Sequence, residues 1–370
     1  MRFNINKSEL LNALTIVSKG TSSRSTLPIL TGVYIKAEGA GLTLRTTDAV
    51  LSMRYDVAAL VEEPGEVVIP ERLLLDIVKN LPEAAVELKS DGIDASVTVS
   101  CGHSSFMLKT LDVEDFPEFP NVSTDNSIDV PFADFCSMVK RVAKVVSRDQ
   151  SRAVLTGVLI STQGGGLRMA ATDSYRLAVA DMELPSAEEG FEAIVAGTFL
   201  QEVASLPKMD ETIKLGLTQN QIVITYQNMT LINRRIEGSY PNYRQIIPPT
   251  AATKTCFTTT ELITAVKRVG IVGGGASSPS PVRFDIDANI GETVVSSTAQ
   301  DVGRAEEAVP CEVDGESVQI ALNHQYVLDG LQSVGTDQVF FETNSSMKPG
   351  VFRAAAPERF LYLVMPVRIA

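Results

Sequence analysis

A helical segment that recurs six times at nearly constant spacing constrains the fold of this sequence more than any other feature. Successive copies start 61 to 66 residues apart, near Ser8, Glu71, Phe132, Thr198, Thr260 and Asn323. Each copy places apolar residues on one helical face, as Leu10, Leu14 and Val17 do in the first, which is typical of an amphipathic helix. Self-similarity at a fixed period indicates a repeat architecture.

Short runs rich in Val, Ile and Thr separate the helices and alternate in polarity, which predicts strands. Clear examples are the runs 32–37, 41–46, 86–89 and 221–226. Turn formers stand between such runs, as at Glu38-Gly39 and Gly164-Gly165-Gly166. One module is therefore a helix with several strands.

Alternate modules are more alike than neighbours, so the larger repeat is about 125 residues long. Arg45–Asp48 (RTTD) recurs 125 residues later as Ala170–Asp173 (AATD). Polar or Pro-containing stretches at 121–129 and 248–254 are the predicted joints. The sequence thus predicts an α+β chain of three tandem domains, each of two helix-plus-strands modules, at 1–122, 128–248 and 253–370.

Composition places the chain among globular cytoplasmic proteins. Neither a signal peptide nor a stretch long enough to span a membrane is evident, so no membrane partner is expected. The four cysteines are widely spaced and form no CxxC pair, which favours reduced, buried residues over disulfides or a zinc site: Cys101, Cys136, Cys256 and Cys311.

The charge distribution leaves nucleic-acid binding open. A net charge of −13 argues against it at first sight, because Lys and Arg drive phosphate binding. However, the third helix carries Lys140, Arg141 and Lys144 against a single acidic residue, and the fifth carries Lys267 and Arg268. The sixth helix has no Lys or Arg, and a charge run on one helix is more often a solvated face.

Geometry limits how such helices could surround DNA. Six helices of about 10–12 Å diameter set side by side leave a hole of roughly 10 Å, whereas twelve leave about 28–34 Å. A duplex whose grooves alone are about 8.5 and 7.5 Å deep cannot pass the smaller hole. A ring around DNA would therefore require a closed dimer.

Several segments point to a known family: residues 1–14 (MRFNINKSELLNAL), 25–30 (STLPIL), 171–178 (ATDSYRLA), 239–248 (SYPNYRQIIP) and 362–369 (YLVMPVRI). With them the whole chain resembles the DNA polymerase III beta subunit, or bacterial sliding clamp. The resemblance implies the DNA-clamp fold, with outer antiparallel sheets, inner helices and a ring closed by head-to-tail dimerisation. It also implies a non-enzymatic processivity factor that slides on duplex DNA of any sequence and has no cofactor.

The resemblance implies a hydrophobic peptide pocket, whose Met and branched aliphatic residues would make an adaptable cleft, with Arg176 at its rim. Its partners would be the DNA polymerase III catalytic subunit, an ATP-driven clamp loader and other proteins, including repair proteins, that carry a clamp-binding peptide. In well-known members Ser174-Tyr175 is Gly-His, and this chain ends one residue later, at Ala370. The implied pocket residues are Leu155, Thr172, Ser174, Tyr175, Arg176, Leu177, Pro241, Ile246, Leu363, Val364, Met365, Pro366, Val367, Arg368 and Ile369.

Two further residue sets follow from the resemblance. The implied DNA contacts are Arg24, Gln150 and Arg152, with support from Lys79, Lys140, Arg141 and Lys144. The implied dimer interface pairs Phe106 and Leu108 with Ile271 and Val272. These four apolar residues are as compatible with a domain core as with an interface.

The sequence lacks the usual signatures of an enzyme. Its two histidines show neither HxH nor HExxH spacing, and Gly270–Gly275 follows a helix instead of opening one, so neither a metal site nor a dinucleotide site is expected. Thr47-Asp48 and Thr172-Asp173 recur at equivalent positions, which predicts turns that bond their own backbone. The main alternative is a repeat-built peptide-binding scaffold that does not encircle DNA. On pattern alone the C-terminal LVMPVRI predicts an edge strand.

Overall fold

The computed structural model describes residues 1–21, 27–90, 95–122, 126–185, 190–208, 211–273, 281–299 and 302–368. The six predicted helices are confirmed, because each begins within one residue of its predicted start. They are α1 (Lys7–Val17), α2 (Glu71–Asn80), α3 (Phe132–Val142), α4 (Gly197–Ala204), α5 (Thr259–Gly273) and α6 (His324–Val334).

The strands follow the predicted alternating runs, and every described strand pairing is antiparallel. They are β1 (Arg2–Asn6), β2 (Gly32–Glu38), β3 (Gly41–Thr47), β4 (Leu51–Ala58), β5 (Leu60–Glu63), β6 (Gly65–Pro70), β7 (Ala85–Lys89), β8 (Ser96–Cys101), β9 (Ser104–Lys109), β10 (Asn126–Pro131), β11 (Gly157–Gln163), β12 (Gly166–Thr172), β13 (Arg176–Glu183), β14 (Glu192–Ala196), β15 (Thr212–Leu217), β16 (Gln221–Tyr226), β17 (Met229–Arg234), β18 (Thr253–Thr258), β19 (Pro281–Asp287), β20 (Glu292–Ala299), β21 (Gly303–Pro310), β22 (Glu312–Gly315), β23 (Val318–Asn323), β24 (Gln338–Thr343), β25 (Gly350–Ala354) and β26 (Arg359–Val364).

The first of two compact units comprises residues 1–133 and 205–235. It holds a five-stranded sheet in the order β5-β1-β7-β8-β9 and an eight-stranded sheet in the order β10-β15-β16-β17-β4-β3-β2-β6. Helices α1 and α2 pack against each other, and α1 also lies on β3 and β4. Strand β8 alternates buried and half-buried residues along its length, as expected for a strand with one face on a core.

The second compact unit comprises residues 134–204 and 236–370. Its nine-stranded sheet has the order β14-β11-β12-β13-β26-β25-β24-β18-β22, and its four-stranded sheet has the order β21-β20-β19-β23. Helix α5 packs on β20 and β21, whereas α6 packs on β25 and β26, and the two helices contact each other. The candidate peptide site lies wholly within this unit.

Helix α6 lies close to β26 because residue 330 is a glycine. A Cβ atom at Gly330 would stand 2.5 and 2.6 Å from ring carbons of Tyr362. The Tyr362 ring is fully buried and therefore has little room to move. Any larger side chain at position 330 must push the helix away from the strand.

Two expectations about local structure are corrected. The C-terminal strand β26 lies between β13 and β25 and is not an edge strand. Its partner β13 is about 180 residues away in sequence, and a local pattern cannot reveal such a pairing. Strand β10 begins at Asn126 and β18 at Thr253, so both predicted joints end inside strands.

The four cysteines are free, with Cys101 and Cys136 buried and Cys256 and Cys311 half-buried. Among the described residues, no helix has the length and apolar character needed to cross a membrane. Of the loop 273–281, residues 274–280 lie outside the described part of the chain.

Candidate functional site

A tight turn between β12 and β13 organises the candidate site. The Asp173 carboxylate accepts hydrogen bonds from the backbone N–H groups of Tyr175 and Arg176 at 2.9 and 3.0 Å. The Thr172 hydroxyl donates to the Arg176 carbonyl at 2.7 Å and accepts from the Ser174 N–H at 3.1 Å. Both side chains therefore fix the local backbone, as predicted.

The same turn recurs 125 residues earlier, between β3 and β4. There Asp48 accepts from the N–H groups of Val50 and Leu51, and the Thr47 hydroxyl donates to the Leu51 carbonyl. The third residue of the turn is left-handed in both copies, with φ +74° at Ala49 and +81° at Ser174. Glycine is the residue best suited to that conformation.

We expect Ser174→Gly to raise the free energy of unfolding by about 0.5–1 kcal/mol. A left-handed non-glycine residue costs about 1–2 kcal/mol, and the greater freedom of glycine in the unfolded chain offsets part of the gain. Denaturant unfolding of Ser174→Gly beside the matched Ala49→Gly would measure both effects. The Ser174 hydroxyl accepts a hydrogen bond from Arg152 at 2.9 Å. A loss of stability in Ser174→Gly but not in Ala49→Gly would mean that this hydrogen bond outweighs the backbone strain at Ser174.

Arg176 ties this turn to three other elements. Its Nε donates to the Asp173 carboxylate at 3.0 Å. Its Nη1 donates to the Asp329 carboxylate at 2.5 Å and to the Tyr362 hydroxyl at 3.2 Å. Its Nη2 donates to the Lys144 carbonyl at 3.4 Å. Only 11% of the side chain is exposed. Burial alone would lower the pKa of the guanidinium, but Tyr362, Asp329 and Asp173 raise it above its ordinary value.

Arg176 was predicted to lie at the rim of a peptide pocket, but its hydrogen bonds give it a different role. Its three nitrogens already have partners within the chain, so the side chain holds the turn in place beneath the surface. Burial also lowers the pKa of the nearby Lys144 ammonium, against an opposing effect of Asp329. The cluster is therefore a half-buried network of charges under the turn.

The predicted pocket residues divide into a buried floor and an exposed rim. Leu155, Thr172, Leu177, Leu363 and Val364 are buried. The large apolar side chains of the rim are exposed by 38–61%, which is unusual for such residues: Tyr175, Ile246, Met365 and Val367. Arg176 aside, the remaining predicted residues are Ser174, Pro241 and Arg368, which are exposed, Pro366, which is half-buried, and Ile369, which lies outside the described residues.

The segment 240–247 lies over the same sheet face. Leu177 and Leu363 belong to one buried apolar cluster with Tyr243, and Tyr240 and Ile247 pack against that cluster. The Tyr240 hydroxyl accepts a hydrogen bond from the Thr172 N–H at 3.2 Å, and burial raises the pKa of that hydroxyl. Met365 is held beside the turn because its N–H donates to the Tyr175 carbonyl at 2.9 Å.

Sequence reasoning missed two residues of α6 at this site. The Arg176 guanidinium lies 4.3 Å from the ring centroid of Tyr326, a distance typical of a cation–π contact. Asp329 pairs with the same guanidinium. Neither residue belongs to a sequence motif with a predicted function, and the contacts with Arg176 join residues about 150 positions apart.

Models of one family match nearly the whole chain. They describe the DNA polymerase III beta subunit and match its N-terminal domain at residues 1–120, its central domain at 129–242 and its C-terminal domain at 244–368. The chain belongs to the DNA polymerase III beta subunit family. With that membership comes the role of a DNA polymerase processivity factor, and the alternative of a scaffold that does not encircle DNA is not favoured.

Individual relatives agree along their full lengths. The beta sliding clamps of Synechococcus elongatus and Streptomyces coelicolor are 30% and 31% identical, and each alignment covers 100% of both chains. The sliding clamp structure of Bacillus subtilis superposes with a TM-score of 0.96 at 26% identity, again over 100% of both chains. That of Pseudomonas aeruginosa bound to griselimycin gives 0.93 at 28% identity, with the same coverage.

The residues expected to contact DNA in a beta subunit differ in their exposure to solvent. Lys79, Lys140, Gln150 and Arg152 are exposed. In contrast, Arg141 is only 18% exposed and pairs with Glu358, and Lys144 is half-buried. The structure therefore does not support a channel-facing role for Arg141 and Lys144, and Arg24 lies outside the described residues.

The residues expected at the dimer interface of a beta subunit also differ in their exposure to solvent. Phe106 and Ile271 are 40% and 77% exposed, but Leu108 is only 6% exposed and belongs to the core. Val272 is half-buried. Phe106 lies on β9, an edge strand of its sheet, beside Met107, which is 77% exposed and was not predicted.

The described residues contain no group of three or more His, Cys, Asp or Glu side chains placed to hold a metal ion. His324 instead lies at the start of α6, where its Nε2 is 3.1 Å from the Val266 carbonyl.

Proposed function

We propose that two copies of this chain close into a ring that encircles duplex DNA and tethers its partners through the site around Tyr175. The proposed partners are the DNA polymerase III catalytic subunit, a clamp loader and other proteins with a clamp-binding peptide. The single observation that carries the tethering role is the exposed apolar rim of Tyr175, Ile246, Met365 and Val367. In a family of processivity factors, such a patch marks a protein-binding surface.

The site is suited to a short peptide with apolar side chains. The apolar rim residues are exposed whereas Leu177 and Leu363 are fully buried, and hydrogen bonds fix the turn that carries Tyr175. A preformed site binds a peptide at a lower entropic cost than a mobile one. Met365 adds a flexible, polarisable wall that can adapt to different side chains.

The DNA contacts that we propose are sequence-independent and made by exposed residues. Lys79 and Lys140 stand at or near the last turns of α2 and α3, and Gln150 and Arg152 lie on the short 3-10 segment after α3. We include Arg24 on the family resemblance. Contacts to phosphate position a protein on DNA without reading its sequence, which a sliding ring requires.

The proposed dimer joins the edge strand β9 of one copy to the α5 end of the other. The exposed apolar residues Phe106, Met107 and Ile271 would then be covered, and Leu108 would support them from the core. An uncovered edge strand with apolar side chains is a liability in a soluble protein, and pairing would remove it.

We further propose that the chain works in the cytoplasm, without catalysis and without a cofactor. Its domains would be 1–122, 128–248 and 253–370, as the repeat indicates. Loading onto DNA would fall to the separate, ATP-driven clamp loader.

Retention on circular DNA tests the ring directly. The chain, with a clamp loader and ATP, is bound to nicked circular DNA, which is then linearised. We expect retention on the circle and rapid loss from free ends. Ile271→Glu, which places a charge in the proposed interface, is expected to abolish retention. Ile290→Glu should not, because Ile290 lies outside that interface and is also an exposed apolar residue, at 67% against 77% for Ile271.

Equal retention on circular and linear DNA, or none with a competent loader, would contradict the ring. A clamp-binding peptide that still bound under those conditions would leave only the scaffold alternative. Peptide binding is therefore measured on the same preparation by fluorescence anisotropy.

A further inference from the structure

A polar cavity of about 620 Å³ opens beside the candidate peptide site, and no function proposed so far uses it. Three arginines from three elements converge there: Arg168 of β12, Arg359 of β26 and Arg244 of the 3-10 turn Tyr243–Ile246. The Gly164–Gly166 turn between β11 and β12 forms another part of its wall. This volume is within the range of ligand pockets, about 300–1,000 Å³.

The described residues leave the cavity with one excess positive charge. Arg168 pairs with Asp181 at 2.5 Å and Arg359 with Glu183 at 2.6 Å. Within the described part of the chain, Asp181 and Glu183 are the two carboxylates that line the cavity. The exposed Arg244 donates to the uncharged Gln163 amide oxygen at 2.9 Å, and no carboxylate among the described residues pairs with it. In a chain of net charge −13, such a spot favours an anionic group.

Strand register connects this cavity to the peptide site. Arg168, Asp181 and Arg359 are directly opposite one another on β12, β13 and β26. Four residues along the same three strands, Thr172, Leu177 and Leu363 are opposite one another and form the floor of the peptide site. Since side chains alternate along a strand, both rows lie on one sheet face, about 13 Å apart.

The segment that covers this face links the two ends. Ile246 is exposed at the peptide site, whereas Arg244, two residues earlier, lines the cavity. Tyr243 of the same segment lines a neighbouring cavity that shares Arg168, Asp181 and Arg359. Tyr243 is only 3% exposed.

We propose that a partner segment held in the peptide site continues over the segment 240–247 and places an acidic side chain in the arginine cavity, against Arg244. This inference rests on the proposed tethering function and adds a second specificity element to it. A peptide extends about 3.3–3.6 Å per residue, so the acidic residue lies about four residues from the apolar anchor. Arg244 is well suited to this role because a guanidinium binds a carboxylate in a bidentate manner.

Two pairs of fluorescein-labelled peptides test the proposal. All four contain the clamp-binding segment of a DNA polymerase III catalytic subunit, with Glu or Gln four residues before the apolar anchor in one pair and four residues after it in the other. We expect the Glu peptide of one pair to bind about threefold to tenfold more tightly than its Gln partner at low salt. In Arg244→Gln this preference should vanish, with the affinity of the Gln peptide unchanged.

Arg304→Gln is the matched control, because Arg304 is exposed and does not line the cavity. This variant changes the net charge equally and should keep the Glu preference. Equal affinities within both pairs, or a Glu preference that survives Arg244→Gln, would overturn the proposal. Failure of all four peptides to bind would overturn the peptide site itself, and this inference with it.

Discussion

Gly330→Ala is expected to lower the free energy of unfolding by about 2 kcal/mol. The added Cβ would stand 2.5 Å from Cδ1 and 2.6 Å from Cε1 of the Tyr362 ring. Overpacking of a core costs about 1–3 kcal/mol, and a contact this short to a rigid, buried ring belongs at or above the upper end. The higher helix propensity of alanine offsets about 1 kcal/mol of this loss in stability.

Denaturant unfolding measures this loss, with Gln332→Ala as the control. Gln332 is exposed on the same helix, so its replacement tests helix propensity without any clash. Because Tyr362 accepts a hydrogen bond from Arg176, Gly330→Ala should also weaken peptide binding. Equal stability of the two variants would show that α6 can move away from β26 at no cost.

Arg176→Ala is expected to have a still larger effect, a loss of about 3 kcal/mol or more. Removing one member of a buried ion pair costs about 3–5 kcal/mol, because the partner is left charged and unpaired. Here two carboxylates lose their partner, Asp173 and Asp329, which are 14% and 22% exposed. The turn that carries Tyr175 would lose its anchor, so peptide affinity should fall as well.

Two variants separate charge from geometry in this test. Arg176→Lys keeps the charge but cannot reach four acceptors at once, so an intermediate loss of stability is expected. Arg54→Ala removes an arginine whose pair with Asp56 is about 40% exposed, and such a pair contributes about 0–1 kcal/mol. A loss in Arg176→Ala no greater than in Arg54→Ala would contradict the anchoring role.

Local patterns were sufficient to predict the helices and many of the strands. The apolar spacing of Leu10, Leu14 and Val17 predicts α1, and all three residues are fully buried. Likewise, the run 221–226 corresponds to β16. These elements are determined by neighbouring residues in the sequence, and the period of their apolar side chains indicates which face is buried. The Thr-Asp turns were predictable for the same reason.

Long-range contacts were not predictable in this way. Nothing near Lys144 in the sequence indicates that burial will lower the pKa of its ammonium. The burial and ion pair of Arg141 could not be predicted either, because its partner Glu358 is 217 residues away in the sequence. Leu108 and Met107 are adjacent apolar residues on β9, yet one is 6% and the other 77% exposed. Only the sheet pairing decides which of them faces the core.

The turns at Asp48 and Asp173 share one backbone framework but carry different exposed side chains. In each copy the residue after the left-handed position accepts a backbone hydrogen bond from another strand region, Val50 from Arg234 and Tyr175 from Met365. The backbone framework is thus retained in both, while only one copy presents Tyr175 above an apolar floor. Because the backbone of the turn and its strand contact recur, the Asp48 copy offers a starting point for engineering a second peptide site by replacing side chains alone.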